Sequence, residues 1–154
     1  FKRSGAALIS LVLLLVLAVS AGAASSQNVG VKFWKERSDK ESMANSGIDP
    51  DRTATLTRQA NGTYTLTLPV MQVSKLGVTG YLSGLTIGDV TYDGTLTGDF
   101  NKATAVLTIK NLPASVLTGS DVNKSVLVTC NIQMDLQVLG EINTSARMCI
   151  WNQK

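Results

Sequence analysis

The sequence predicts an all-β domain: an immunoglobulin-like antiparallel β-sandwich of seven or eight strands, preceded by a signal peptide. The chain after the leader is rich in Thr, Val, Leu and Gly, a composition that favours strands and turns over helices. Several segments alternate apolar and polar residues with a period of two, and turn residues separate them at short intervals. No segment after the leader has the periodicity of an amphipathic helix.

The N-terminal segment has the features of a secretory signal. Lys2 and Arg3 precede an apolar run over residues 6–19, and Ala21-Gly22-Ala23 supplies the small residues of a cleavage site. The apolar run is short for a membrane span, which needs about 20 residues. We therefore predict a secreted or cell-surface protein. Its predicted parts are a cleaved signal over 1–24, a linker over 25–30 and one domain over 31–154.

Two alternatives compete with the cleaved signal. The segment could be an uncleaved anchor, or the stem of a type IV pilin, which Phe1 and the basic, Ala-rich start faintly resemble. Against the pilin, Gly5 stands where a glutamate is expected. Residues 25–30 are also poor in helix formers, although a pilin stem helix would continue there. We prefer the cleaved signal.

The predicted strands follow from turn signals and alternation. Asn61-Gly62 is the strongest hairpin signal in the chain, and Pro69 ends the strand that follows it. Residues 71–82, which contain Gly77 and Gly80, are predicted as a loop. The longest alternation runs from Val126 to Val138, where every second residue is apolar and the residues between them are polar from Thr129 onward. The predicted strands cover residues 31–34, 53–58, 63–68, 85–92, 94–97, 103–110, 126–138 and 145–151.

Composition excludes several function classes. The chain contains no histidine, which excludes a Ser–His–Asp triad, a His-ligated zinc and a His-ligated haem. Two of the 14 basic residues belong to the leader, so charge is nearly balanced in the remainder, which has 11 acidic residues. Without a basic run, nucleic acid is not an expected partner. No nucleophile lies beside a base in a known motif, so we expect a protein that is not an enzyme.

The two cysteines are predicted to form a disulfide. Cys130 and Cys149 lie on the two predicted strands that pair through a turn at Gly140, and an exported protein meets oxidising conditions. Cross-strand partners must point to the same face, however, and Cys149 shares its face with Arg147 and Trp151. Two free thiols are therefore the alternative. Two thiols without histidine could not complete a structural zinc site.

One protein family matches this layout over residues 31–151. The matching pieces are Lys40-Glu41-Ser42-Met43-Ala44, Thr53-Ala54-Thr55-Leu56, the hairpin from Asn61 to Leu68, Gly80-Tyr81-Leu82, and the hairpin from Val126 to Trp151 with Ala146-Arg147 opening its last strand. In their order and spacing they resemble the NEAT (near iron transporter) domain, a cell-surface haem-binding sandwich of Gram-positive bacteria.

The resemblance implies a haem site. In such domains the Ser-Met segment forms a 3₁₀ turn over the haem, and a Tyr-x-x-x-Tyr motif in the last strand supplies the iron ligand. Here the matching stretch is 144–148 and contains no tyrosine. The resemblance then assigns Ser42 to a haem propionate and leaves Met43, Met134 and Met148 as haem contacts. Met43 and Met148 are the candidate axial ligands, because some relatives hold haem between two methionines.

Each candidate also has a structural interpretation. Ser42 could cap a helical turn, and methionines usually fill gaps in a core. Tyr81 and Tyr92 could be phenolate ligands, but a structural role for Tyr81 at the sandwich edge is preferred. Calcium could bind to Asp89, Asp93 and Asp99, but aspartates in turns usually cap the backbone instead. Asn61, Asn123 and Asn143 begin glycosylation sequons, which matter only in a eukaryotic host.

The resemblance therefore predicts a secreted or cell-surface haem-binding domain that serves iron and haem acquisition. Its expected partners are haem or a haemoprotein and other haem-transfer domains of the cell surface, and haem would be handed on rather than altered. The alternatives are an adhesive or structural sandwich that has lost the ligand, and a pilus subunit that keeps its N-terminal helix.

Overall fold

The computed structural model describes residues 25–75, 77–135 and 140–153; the predicted signal over 1–24 lies outside the described residues. Within the described ranges the chain forms nine strands and three short 3₁₀ turns. The strands are β1 (Ser25–Lys35), β2 (Ala54–Arg58), β3 (Tyr64–Pro69), β4 (Val73–Lys75), β5 (Val78–Ile87), β6 (Val90–Thr97), β7 (Val106–Leu112), β8 (Val126–Met134) and β9 (Glu141–Asn152). The 3₁₀ turns are Met43–Gly47, Ala114–Val116 and Val122–Lys124. No helix in these ranges is long and apolar enough to span a membrane.

The strands form one antiparallel sheet that closes on itself. Their order is β4-β5-β6-β7-β3-β2-β1-β9-β8, and β5 also pairs with β8. The eight strands other than β4 therefore form a closed barrel. The three-residue β4 pairs with the first residues of β5, along the same edge that β6 occupies farther along β5. The prediction of an all-β antiparallel fold is confirmed.

The period-two pattern of the sequence explains which side chains fill the interior. On β9, Ala146, Met148 and Ile150 are fully buried, and the same alternation buries Val128 and Cys130 on β8. Phe33 of β1 is the largest of the fully buried side chains. The core therefore lies inside the closed sheet, where the inward residues of opposing strands meet.

The hairpin predicted at Asn61-Gly62 joins β2 and β3. Arg58 pairs with Tyr64 at its base, and Gly62 has a φ of +87°, which glycine adopts without strain. The side chain of Asn61 accepts hydrogen bonds from the backbone N–H and the hydroxyl of Thr63. This turn chemistry fixes the register of the two strands.

Three segments differ from the sequence prediction. The predicted linker over 25–30 belongs to β1, because Ser25–Val29 pairs with β2. The predicted loop over 71–82 contains β4 and the start of β5, since its glycines permit a tight hairpin at Gly77. The predicted strand over 85–92 is split by a turn at Gly88, whose φ is +60°. Leu136 and Val138 of the longest predicted strand lie outside the described residues.

The predicted disulfide is wrong: Cys130 and Cys149 are both free and buried. The register of the final hairpin places Cys130 opposite Thr144, five residues from Cys149. Five residues span about 17 Å along a strand, whereas disulfide-bonded Cα atoms lie within about 7 Å. The faces differ too. Cys130 belongs to the core, and the Cys149 thiol points outward, donating to the carbonyl of Asp121 over 3.4 Å.

We expect both thiols to be unreactive in the native protein. Burial raises the pKa of the Cys130 thiol to about 12, so almost no thiolate is present at neutral pH. Ellman's reagent is expected to detect no thiol in native protein and two after denaturation without a reductant. A Ser145→Cys variant, which places a thiol at an exposed position, is the control and should react at once. Rapid native labelling of either natural cysteine would contradict the buried positions.

A partly buried ion pair lies just before β2 and joins two segments that are distant in the sequence. Arg52 Nε lies 2.7 Å from Asp49 Oδ2, and Arg52 Nη2 donates to the carbonyl of Ala105 over 2.8 Å. The hydrogen bond from Arg52 lowers the pKa of the Asp49 carboxyl below its usual value, and the backbone N–H of Asp51 acts in the same direction.

This ion pair predicts a specific acid sensitivity. A carboxyl whose pKa is lower in the folded state stabilises the fold above its unfolded pKa of about 4, and this stability is lost as the pH falls further. We expect urea unfolding to show the loss below pH 4 in the wild type and a smaller pH dependence in Asp49→Asn. An equal pH dependence in both proteins would show that Asp49 contributes nothing to it.

Candidate functional site

An apolar groove of about 280 Å³ opens at one end of the barrel. The 3₁₀ turn Met43–Gly47, which we call the lip, forms one wall, and β8 with β9 forms the other. The β4–β5 hairpin closes the side between them. The lining residues are Met43, Ala44, Ser46, Gly47, Val73, Ser74, Val78, Leu82, Ile132, Met134, Ile142 and Thr144.

The lip is a short turn whose backbone is fixed at both ends. Ser42 precedes it in an extended conformation, and its hydroxyl accepts a hydrogen bond from the Ala44 N–H over 3.2 Å. The Gly47 carbonyl accepts from the Met71 N–H over 2.9 Å. Ala44 is buried, whereas the side chain of Met43 is 64% exposed. The lip therefore anchors one small side chain in the core and presents a thioether at the rim.

The opposite wall continues the inner face of the barrel. Ile132 and Met134 extend the inward row of β8, and Ile142 and Thr144 extend that of β9, with Ile132 directly opposite Ile142. Farther from the open end of the barrel, the inward residues of β8 and β9 fill the core. The groove begins where the same two rows of residues reach the open end. The alternation that builds the core also builds the wall.

Met134 reaches into the groove because β5 has a glycine beside it. Gly80 pairs with Met134 across the two strands, and a Cβ at Gly80 would lie 2.7 Å from Met134 Sδ and 2.8 Å from the Gln133 carbonyl oxygen. Both separations are shorter than any real contact of a Cβ atom. Gly80 therefore provides the space in which the Met134 thioether lies.

The groove can bind an apolar ligand and can supply soft ligands to a metal. Its described lining residues carry no formal charge, and the polar groups among them are the hydroxyls of Ser46, Ser74 and Thr144. The Ser46 hydroxyl donates to the Met43 carbonyl over 2.6 Å. Thioethers such as those of Met43 and Met134 are soft ligands that bind haem iron in some proteins.

The four predicted haem contacts occupy three different environments. Met43 and Met134 both line the groove, on opposite walls. Ser42 does not line it: its side chain is buried and caps the lip. Met148 is fully buried in the core. It lies on the inner face of β9, four residues deeper than Thr144, which is about 14 Å along the strand. Met148 is therefore placed outside the groove, and the second thioether there is Met134.

The other sequence candidates lie away from the groove. Tyr81 packs against Phe100 with ring centroids 5.5 Å apart, and Tyr92 packs partly buried against the core. Asp99 caps a local turn, because its carboxylate accepts from the Asn101 N–H over 2.8 Å. Within the described ranges, no group of three or more Asp, Glu or Cys side chains is arranged to hold a metal ion.

Sequence reasoning missed most of the groove's walls. The prediction of a loop over residues 71–82 gave no indication that Val73, Ser74 and Val78 form part of a wall. Ile132 lies within the predicted alternation over 126–138, whereas Ile142 precedes the predicted last strand over 145–151, which begins four residues earlier in the structure. The alternation also does not show where the core ends and the groove begins. Ser46 carries no signal of its own, since only the three-dimensional course of the lip brings it to the rim.

Adding a methyl group at Gly80 is expected to displace Met134. Gly80→Ala should lower the free energy of unfolding by about 1–3 kcal/mol, the usual cost of overpacking, and should change the environment of the Met134 methyl group in NMR spectra. Gly47→Ala is the matched control, because its new Cβ would meet Val73 Cγ1 at an ordinary 3.7 Å. Equal effects of the two substitutions would contradict the close approach at Gly80.

Comparison with protein-family models and with curated proteins finds no match. The fold is nevertheless similar to solved structures of the NEAT5 domain of IsdX2, a B. anthracis hemophore. The NEAT5 domain in complex with heme matches with a TM-score of 0.51 and 10% identity over 84% of this chain and 98% of that chain. A point mutant of IsdX2-NEAT5 in complex with heme matches with a TM-score of 0.54 and 11% identity, over 84% and 97%. This chain therefore has the fold of a NEAT domain.

Proposed function

We propose that this domain binds haem in the groove between the lip and the β8–β9 wall, and that it serves haem acquisition outside the cell. The observation that carries the proposal is the groove itself: it is apolar, uncharged in its described lining, open to solvent, and has one thioether on each wall, Met43 and Met134. The similarity to haem-complexed NEAT domains supports the same ligand class.

The residues present suit an apolar, flat, iron-containing ligand. Side chains such as Val73, Leu82 and Ile132 would cover the faces of a porphyrin and remove apolar surface from water. Met43 and Met134 would hold the iron, and thioether ligation favours the reduced metal. Ser46, Ser74 and Thr144 offer hydroxyls to polar edges of the ligand.

The action proposed for the domain is capture and release rather than chemistry. Met43 is 64% exposed on the lip, so one iron ligand lies at the solvent-facing rim, where a partner domain could replace it. The expected partners are therefore haem or a haemoprotein as source and another cell-surface haem-transfer domain as recipient. A secreted or surface-displayed location belongs to the same proposal.

Titration of the purified domain with hemin, in the absence and presence of dithionite, tests the proposal. We expect saturable binding at one haem per domain, and tighter binding after reduction because thioethers prefer ferrous iron. Absence of saturation in both oxidation states would reject haem binding. The adhesive or structural sandwich without a ligand would then be the better account of this fold.

A further inference from the structure

Asn45 completes the edge of β1 at the point where its neighbouring strand ends. On one side β1 pairs with β9 over Val29–Lys35, whereas on the other it pairs with β2 only over Ser25–Val29. On the β2 side beyond Val29, a short bridge between Trp34 and Glu41 supplies the Ser42 N–H to the Phe33 carbonyl, but the Phe33 N–H meets no backbone carbonyl there among the described residues. The side chain of Asn45 takes that place.

The Asn45 amide reproduces the hydrogen bonds of a neighbouring strand. Its Oδ1 accepts from the Phe33 N–H over 2.8 Å, and its Nδ2 donates to the Phe33 carbonyl over 2.6 Å. The same Nδ2 donates to the Ser42 carbonyl over 2.9 Å, and the Ser42 N–H donates to the Phe33 carbonyl over 3.0 Å. One side chain thus joins the lip, the residue before the lip, and β1.

Among side chains of this length, only that of asparagine can make all three hydrogen bonds. A carboxamide carries an acceptor and two donors in one plane, whereas Asp of the same size has no donor when ionised and Ala has neither group. Phe33 itself is fully buried, so its backbone is a rigid point of attachment. We call the three hydrogen bonds of the Asn45 side chain, to the N–H and the carbonyl of Phe33 and to the carbonyl of Ser42, the clamp.

The clamp includes a hydrogen bond to the carbonyl of Ser42, the residue directly before Met43. Met43 is the first residue of the lip and is 64% exposed, so few side-chain contacts fix its direction, which follows from the backbone of the lip. We propose that Asn45 is a positioning residue that holds the lip on β1 and thereby sets the Met43 thioether over the groove. The consequence for haem rests on the proposed function; the placement of Met43 does not.

Two variants remove the clamp to different extents. Asn45→Ala removes all three side-chain hydrogen bonds, and Asn45→Asp removes the two donated ones. Asn61→Ala and Asn61→Asp are matched controls, since Asn61 lies in the β2–β3 turn and bonds only to Thr63 among the described residues. Thermal unfolding of each variant separates loss of the fold from loss of the clamp.

The first measurement uses the ligand-free protein. We expect the Phe33 amide to exchange with deuterium at least tenfold faster in Asn45→Ala than in the wild type, and the Met43 methyl resonance to shift. Neither should change in Asn61→Ala. An unchanged Met43 resonance in a folded Asn45→Ala protein would overturn the proposal, whether or not haem binds.

The second measurement uses the hemin complex reduced with dithionite. We expect both Asn45 variants to release haem at least about tenfold faster, as the loss of two hydrogen bonds in Asn45→Asp and three in Asn45→Ala allows, with a shift of the absorption spectrum from six-coordinate to five-coordinate iron. Wild-type release and an unchanged spectrum in both variants would overturn the effect on the site. Failure of the wild type to bind hemin would instead reject the proposed function, and the role of Asn45 would then be decided by amide exchange and the Met43 resonance alone.

Discussion

Substitution of Met43 and Met134 together by alanine is expected to abolish tight binding of reduced haem. The two thioethers stand on opposite walls of the groove, so their joint loss removes both proposed iron ligands and leaves only apolar contact. Loss of a residue that merely supports a metal ligand costs about 10–100-fold in affinity. Removal of both ligands should therefore cost at least about 100-fold, measured by titration with hemin under dithionite.

Two other methionines provide matched controls. Met71 is 36% exposed and is absent from the groove lining, and Met148 is fully buried in the core. Met71→Ala and Met148→Leu remove the same chemical group elsewhere, and a Met-to-Leu exchange in a core usually costs less than about 1.5 kcal/mol of stability. Both controls should keep wild-type haem affinity. A loss in Met148→Leu that matches the loss in the double variant would contradict the assignment of Met134.

Phe33→Ala is expected to have the largest effect on stability. Phe33 is the largest fully buried side chain, and its truncation leaves a cavity where β1 meets β9. Phenylalanine truncations in cores cost about 3–5 kcal/mol, which is a large part of the stability of a domain of this size. Urea unfolding followed by tryptophan fluorescence measures the loss.

Leu127→Ala is the control for that experiment. Leu127 lies on β8 with its side chain 58% exposed, so its truncation removes apolar surface that is mostly already in water. We expect a change within about 0.5 kcal/mol, the usual range for a surface substitution. A comparable loss in the two variants would contradict the placement of the core.

The fold could be predicted from the sequence because its signals are local. The alternation from Val126 and the Asn61-Gly62 turn are properties of a few adjacent residues, and both occur where the pattern indicates. The segment over 71–82 misled the prediction because its glycines are typical of loops. In the structure Gly77 makes the turn and Gly80 lies where β5 and β8 approach closely. The distinction depends on the partner strand, which local sequence does not specify.

The site was harder to predict because it depends on depth along a strand. The resemblance makes Met148 a candidate iron ligand, and in the structure Met148 is fully buried on the inner face of β9. A side chain on the inner face of β9 lies in the core at Met148 but lines the groove at Thr144. The boundary between the two lies where the lip crosses the barrel. Likewise, Cys130 and Cys149 are on paired strands, but the register separates them. Register and depth are long-range properties of the chain.

The position of iron in a crystal of the hemin-soaked, dithionite-reduced domain tests the proposed haem site most directly. Anomalous scattering measured at the iron absorption edge identifies the peak as iron without any assumption about its ligands. We predict one iron peak in the groove, between the sulfur atoms of Met43 and Met134. An iron peak elsewhere on the barrel, or one in the groove with neither sulfur as its ligand, would contradict this site.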